Sequence, residues 1–287
     1  MIRDIYNSKK TVFSLEVFPP KEESEISLIF KVLDELKRLK LDFISITYGA
    51  GGGTRKRTMD IAAYVQNKCN IDALAHLTSV SLDESLLQNF LEELSANNIM
   101  NVLALRGDRP KDMSDSAYFG RPFKYASELV SIIRNNSELS IGGACYPEVH
   151  PEARNNEEDL YYLKSKVEAG TDFLITQLFF DNTKFYSFYE NVRSSNISVP
   201  ISAGIMPISS PTQIKTITEL SGSYVPDSLK SIFMKYADNS EDFKKAGLEY
   251  ATKQIEALLE FEVQGIHLYT LNKVDVSKEI FRNLGLI

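Results

Sequence analysis

Eight short runs of β-branched and apolar residues recur along the chain, at 12–18, 43–47, 73–77, 102–105, 141–145, 173–178, 199–203 and 266–271, with longer amphipathic stretches between them. The stretch at 25–40 shows the pattern: Ile26, Ile29, Phe30, Leu33, Leu36 and Leu39 share one helical face while lysines and acids hold the other. Strands that alternate regularly with helices build a parallel sheet with helices over its faces. The first four runs start about thirty residues apart, the length of one βα unit. A chain of 287 residues could hold two domains. Eight units with no Pro/Gly-rich linker favour instead one closed barrel, a single catalytic domain over residues 1–287. The gap between 203 and 266 has room for three helices, 211–220, 226–236 and 240–262, the first two opened by Pro211 and Pro226. The expected fold is therefore α/β, a (β/α)8 TIM barrel with extra helices before the last strand.

Composition narrows the partners. With 32 basic and 39 acidic residues the net charge is −7, so nucleic acid, whose phosphates need a basic face, is not an expected partner. The opening MIRDIYNSKK mixes charges into its apolar residues, and neither a signal peptide nor an anchor is expected from it. The longest uncharged stretch, 194–214, contains Pro200, Pro207 and Pro211, which a lipid-spanning helix would not tolerate. Cys69 and Cys145 stand far apart without a partner motif, so no disulfide framework or zinc site is expected, and a reducing cytoplasm fits.

In such a barrel the active site gathers at the C-terminal ends of the strands. Those ends carry Glu16 with Phe18, Thr47 with Tyr48 and a glycine-rich loop, His76, Arg106 with Gly107 and Asp108, Tyr146, Gln177, Gly204, and Tyr269 with Asn272. Glu16 sits between Leu15 and Val17. An acid inside an apolar strand is disfavoured unless it is paired or used, and burial raises its pKa toward that of a general acid. A salt bridge inside the barrel is the bland alternative. For Asp108 a loop pair with Arg106 and a functional role stand level.

The loop from Gly49 to Thr54 does not meet the dinucleotide fingerprint, since Thr54 replaces the third glycine and Asp72 begins the next strand instead of ending it. A tight turn explains it equally well. His76, His150 and His267, the three histidines, share no metal-ligand spacing, so no metal is expected. No strand run contains a lysine, which counts against a Schiff-base enzyme.

Taken together, the strand ends resemble the methylenetetrahydrofolate reductase family in its short single-barrel bacterial form. The matching segments are FSLEVFPPK (13–21), ITYGAGGGTR (46–55), AHLTSV (75–80), LALRGDRP (103–110), YPEVHPEA (146–153), ITQLFFD (175–181), GIMPI (204–208) and LYTLNK (268–273). The resemblance implies a barrel flavoenzyme that reduces methylenetetrahydrofolate to methyltetrahydrofolate. Its electrons come from NADH or NADPH by a ping-pong exchange through FAD, and the product feeds methionine synthesis. It implies Glu16 as the general acid and Asp108 as the acid beside flavin and pterin. Thr47, Tyr48, His76, Arg106, Gly107, Asp108, Tyr125, Ala126, Tyr146, His150, Asp159 and Lys166 match flavin contacts. Asp108, Gln177, Gln213 and Lys273 match folate contacts.

Two positions depart from the family pattern. Lys273 stands where arginine is usual, and Ile217 stands where an aromatic residue often stacks on ligand. The resemblance further implies a homo-oligomer without the regulatory domain of the eukaryotic enzymes. The alternatives kept open are a related barrel flavoprotein with another substrate or electron donor, and a flavin- or folate-binding subunit without turnover.

Overall fold

The computed structural model describes residues 1–48 and 52–287. Its eight strands are β1 (Val12–Val17), β2 (Phe43–Ile46), β3 (Asp72–Thr78), β4 (Asn101–Leu105), β5 (Ser140–Cys145), β6 (Phe173–Thr176), β7 (Ile201–Ile205) and β8 (Gly265–Tyr269). Each pairs in parallel with the next, and β1 pairs with β8, so the sheet closes into the barrel that eight βα units favour. The helices are α1 (Ile2–Ser8), α2 (Ile26–Leu36), α3 (Gly52–Tyr64), α4 (Glu84–Ala96), α5 (Asp115–Gly120), α6 (Ala126–Asn136), α7 (Asn156–Glu168), α8 (Asn182–Ser194), α9 (Pro211–Ser221), α10 (Asp227–Tyr236), α11 (Ser240–Glu260) and α12 (Val274–Asn283). Residues 49–51, the centre of the glycine-rich loop, lie outside the described residues.

Strand alternation divides the core. Leu15, Val17, Ile44 and Ile46 face outward into the layer shared with the helices, where α2 contributes Ile29, Leu33 and Leu36. A leucine removed from such a layer, as in Leu33→Ala, costs about 2 to 5 kcal/mol. Val12, Phe43, Leu74, Leu103, Phe173 and Ile175 fill the lower barrel, joined by Ile2 and Tyr6 of α1.

Helix α1 does not stand out in the sequence because seven residues are too few for a periodicity to show. It plugs the barrel floor, and the barrel satisfies its free amides: Ile2 N donates to Asn101 Oδ1 at 2.8 Å and Arg3 N to Ser140 Oγ at 3.1 Å. The three helices before β8 appear as expected, except that Pro226 is the N-cap of α10 and not its first residue. Their apolar faces close over Leu178, Phe180, Met206 and Ile208. Among the described residues no helix is long and apolar enough to cross a membrane, and Cys69 and Cys145 are free thiols.

Candidate active site

The upper half of the barrel interior is polar, and its residues come from inward positions of adjacent strands. Register sets Glu16 of β1 between Ser45 of β2 and Tyr269 of β8, with Ser14 beside His267 one layer lower. Ser14 Oγ and His267 Nδ1 are hydrogen-bonded at 2.8 Å, and Ser45 Oγ bonds His76 Nε2. The same His76 nitrogen stands 3.7 Å from Glu16 Oε2. Glu16 keeps 22% of its side chain open to the mouth, yet burial lifts its pKa to about 8. Burial pushes His76 down to about 3. His267 is likewise held near 3, by burial and then by His76. At neutral pH these groups are uncharged, with the proton on the acid.

Tyr269 closes this side. Its hydroxyl donates to Thr176 O at 2.8 Å, and burial, followed by the nearby Glu16, raises its pKa far beyond the usual phenol. Its ring crosses Gly204, where a Cβ would lie 2.7 Å from Tyr269 Cε2 and 2.3 Å from Thr176 O. Glycine is the residue that lets ring and backbone approach this closely.

A second group forms at the ends of β4 and β5 and along α7. Gly107 turns the chain with φ +78, packed so that a Cβ would meet Thr78 Cβ at 2.8 Å. This turn leaves Asp108 exposed on the rim, near enough to Tyr146 for its charge to be felt there. The Tyr146 and His150 rings meet edge-on at 4.6 Å, and His150 N donates to Asp159 Oδ2 at 3.0 Å. Burial raises the pKa of Asp159 and lowers those of His150 and Lys166. Lys166 Nζ donates to Ala144 O. Arg106 holds Glu152 with two hydrogen bonds, Nη2 to Oε1 at 2.8 Å and Nη1 to Oε2. Tyr125, at the start of α6 beside Ala126, is exposed and lies nearly parallel to Tyr162 of α7 at 6.2 Å. Asp159, Tyr162 and Lys166 fall on one face of α7 by their helical spacing.

The remaining positions spread around the mouth. Gln177 N donates to Cys145 O at 2.7 Å, and its Oε1 accepts from Leu178 N at 2.9 Å. Thr47 takes Thr58 Oγ1 on its carbonyl at 2.9 Å. Tyr48 is not brought to the mouth by its ring, which packs edge-on against Phe90 of α4 at 6.4 Å. Ile217 is buried in the apolar cluster of α9 and α10. Lys273 lies two residues past Leu271, and Leu271 and Asn272 both take positive φ, 52 and 59. Asn272 clasps Phe18 through its side chain, accepting from Phe18 N at 3.0 Å and donating to Phe18 O at 2.9 Å. That clasp fixes the loop carrying Lys273 against β1.

Ser14, Ser45 and His267, and Ser209, which accepts from Lys273 Nζ at 2.8 Å, have no role in the sequence reading. The first three had a usable signal: polar residues at inward positions of strands whose outward positions are apolar.

A closed barrel with a protonated acid inside its C-terminal mouth, and a basic and aromatic cluster beside it, is the layout of a (β/α)8-barrel enzyme. The family model for methylenetetrahydrofolate reductase matches residues 1–285, and the chain belongs to that family. It is 34% identical over 273 residues to the 5,10-methylenetetrahydrofolate reductase of Escherichia coli (strain K12), covering 95% of this chain and 90% of that one. It is 35% identical over 297 residues to methylenetetrahydrofolate reductase (NADH) 1 of Arabidopsis thaliana, covering 100% of this chain and 50% of that one. The chain thus spans about half the length of the plant relatives it matches. A Clostridium thermocellum protein that binds two copies of 5-methyl-5,6,7,8-tetrahydrofolic acid shares the fold, with a TM-score of 0.66 at 18% identity over 98% of this chain and 97% of that one.

Proposed function

We infer that this protein reduces methylenetetrahydrofolate to methyltetrahydrofolate with NADH or NADPH, in two half-reactions through FAD, as a step toward methionine. The observation that carries the reading is Glu16: an acid inside the barrel mouth, partly open to it, whose burial keeps it protonated to about pH 8. A carboxylic acid so held can give its proton to a folate nitrogen, opening the one-carbon bridge to an iminium that accepts hydride. His76 beside it does not take that proton, because burial disfavours the imidazolium.

The residues also fit a flavin dinucleotide. Arg106 and Lys166 offer cationic donors suited to a pyrophosphate, Tyr125 and Tyr162 offer ring faces, and His150 and Asp159 offer polar contacts between them. Bound FAD would supply the hydride exchange between nicotinamide and folate. Asp108, on the rim of the same cluster, would place a negative charge beside the flavin and orient the pterin. Gln177, Gln213 and Lys273, which follow β6, β7 and β8, would bind the folate along the next part of the rim.

The test is a visible spectrum of the purified protein, followed by anaerobic addition of NADH and then methylenetetrahydrofolate. Yellow protein that bleaches with NADH and recovers with folate is expected. Protein that stays colourless after added FAD and binds none of it would sink the reading.

A further inference from the structure

Lys273 carries an ammonium group with no acid within salt-bridge distance among the described residues, and Ser209 is its hydrogen-bond partner. Lys273 Nζ donates to Ser209 Oγ at 2.8 Å. A serine hydroxyl has one hydrogen, and since Lys273 occupies a lone pair of the oxygen, that hydrogen is free to point elsewhere. It points to Gln213 Oε1 at 3.0 Å, which also accepts from Ser209 N at 3.0 Å. Gln213 Nε2 then gives one hydrogen to Pro207 O at 3.1 Å. This arrangement decides which way the amide faces. Its oxygen is spent on Ser209, so what remains to a ligand is one Nε2 hydrogen, next to the two remaining on Lys273.

The local fold explains why Ser209 stands there. Ser210 caps α9 by accepting from Gln213 N at 3.4 Å. Gln213 is the third residue of the helix, where a glutamine side chain turns back on the preceding chain, as in a capping box. A cap alone would leave Lys273 out. The bond to Ser209 ties the cap to the loop that follows the neighbouring strand, β8.

We propose that Ser209 is a positioning residue: by accepting from Lys273 and donating to Gln213, it sets both as hydrogen-bond donors toward a carboxylate-bearing tail of the substrate. The assignment rests on the folate reading above and adds to it the residue that couples its two tail contacts. A lysine ammonium on a flexible stem lacks the rigid fork of arginine. Ser209 restores part of that rigidity by fixing one of its three donors.

The experiment uses the flavin-loaded full chain and two probes, 5-methyltetrahydrofolate and 6-methyltetrahydropterin, which has the ring system without the tail. Calorimetric titration of Ser209→Ala should show about tenfold weaker binding of 5-methyltetrahydrofolate, the loss of one hydrogen bond to a charged group. Binding of 6-methyltetrahydropterin should not change. The folate KM should rise with kcat preserved, and Ser209→Thr should restore affinity to within about twofold, since it keeps the hydroxyl. In a Lys273→Met background Ser209→Ala should add less than it does in the unsubstituted protein, because only its hold on Gln213 is left to lose.

Equal loss for both probes, or no loss for either, overturns the proposal, as does a full additional loss in the Lys273→Met background. If the alanine variant loosens α9, Ser209→Cys keeps the volume with a poor hydrogen-bonding group and reads the same affinities. If the unsubstituted protein binds neither probe, the folate reading falls and this assignment with it. If that protein binds and Lys273→Met weakens it while the Ser209 variants do not, only the role of Ser209 falls.

Discussion

The Nε2 atom of His76 lies 3.7 Å from Oε2 of Glu16, within ion-pair distance, and the pair is nevertheless neutral. Transfer of the Glu16 proton to His76 would create two charges in a cavity that solvates neither well. Burial drives the acid up to about 8 and the imidazole down to about 3, so the proton stays on the carboxyl. The Ser45 hydroxyl on the same imidazole nitrogen holds the ring without charging it. A polar barrel interior thus keeps an acid ready to act at neutral pH.

Reoxidation of the flavin by methylenetetrahydrofolate should therefore hold through neutral pH and fall as pH rises through about 8, the value to which Glu16 is raised. Flavin reduction by NADH should lack that limb. Glu16→Gln should slow the folate half-reaction about a hundred- to ten-thousand-fold and leave the NADH half-reaction largely intact. Stopped-flow absorbance on the two half-reactions separates them. Equal damage to both would make Glu16 a structural residue.

The same shifts predict how stability moves with pH. Glu16 is raised from 4.5 to about 8 on folding, so its contribution is complete below pH 4.5 and is lost as pH rises through about 8. His267 is lowered from 6.5 to about 3, so its contribution is complete above pH 6.5 and is lost as pH falls toward 3. Thermal melts of Glu16→Gln should show a flatter decline between pH 5 and 8 than the unsubstituted protein. Those of His267→Gln should show a flatter decline between pH 6.5 and 3. The slope is the readout, since either change shifts the overall level through packing. Slopes identical to those of the unsubstituted protein would remove these groups from the pH response.

Asp108→Asn removes a negative charge from the rim next to Tyr146 and the Arg106 loop. Reduced flavin is anionic, so losing that charge should raise the flavin midpoint potential, and the folate KM should rise through the lost pterin contact. Redox titration with a reference dye checks the first and steady-state kinetics the second. An unchanged potential together with normal folate kinetics would leave Asp108 as a partner in the rim loop.

The barrel was legible because its signal repeats: each strand run in the sequence overlaps an observed strand, and most differ only at the ends. Val199 and Pro200 precede β7, and Leu271 lies two residues past β8, because an apolar run does not stop where hydrogen bonding does. Helix α1 was hidden by its brevity, and its helical state depends on Asn101, Ser140 and Ser202, which are distant in sequence. In the site, Glu16 was legible as an acid among apolar neighbours. His267 and Ser45 were not singled out, since their meaning arises from strand register, which sets Ser14 beside His267 and Glu16 beside Ser45. The outward turn of Tyr48 was equally invisible, because the residue after a strand can face either layer.

Lys273 is the position where this chain and its family pattern differ most usefully. Its loop is built to hold one side chain in place: Leu271 and Asn272 take left-handed conformations, unusual for a leucine, and Asn272 locks the loop to the Phe18 backbone. An ammonium at this point can attract a carboxylate but cannot grip it with two parallel bonds. Lys273→Met should therefore raise the folate KM about tenfold, by loss of one charge-assisted contact, and leave NADH-driven flavin reduction unchanged. The rise should shrink as salt is added, because the contact lies at the solvated mouth, where ions screen it. Lys273→Arg should match or lower the KM of the unsubstituted protein, since the fork it gains is suited to a carboxylate and the reach is similar. Because the contact is remote from the reacting carbon, kcat should change little in either variant. Steady-state folate kinetics at low and high salt decide the matter. A KM for Lys273→Met that equals that of the unsubstituted protein at both salt levels would place the tail elsewhere, with Gln177 the next residue to test.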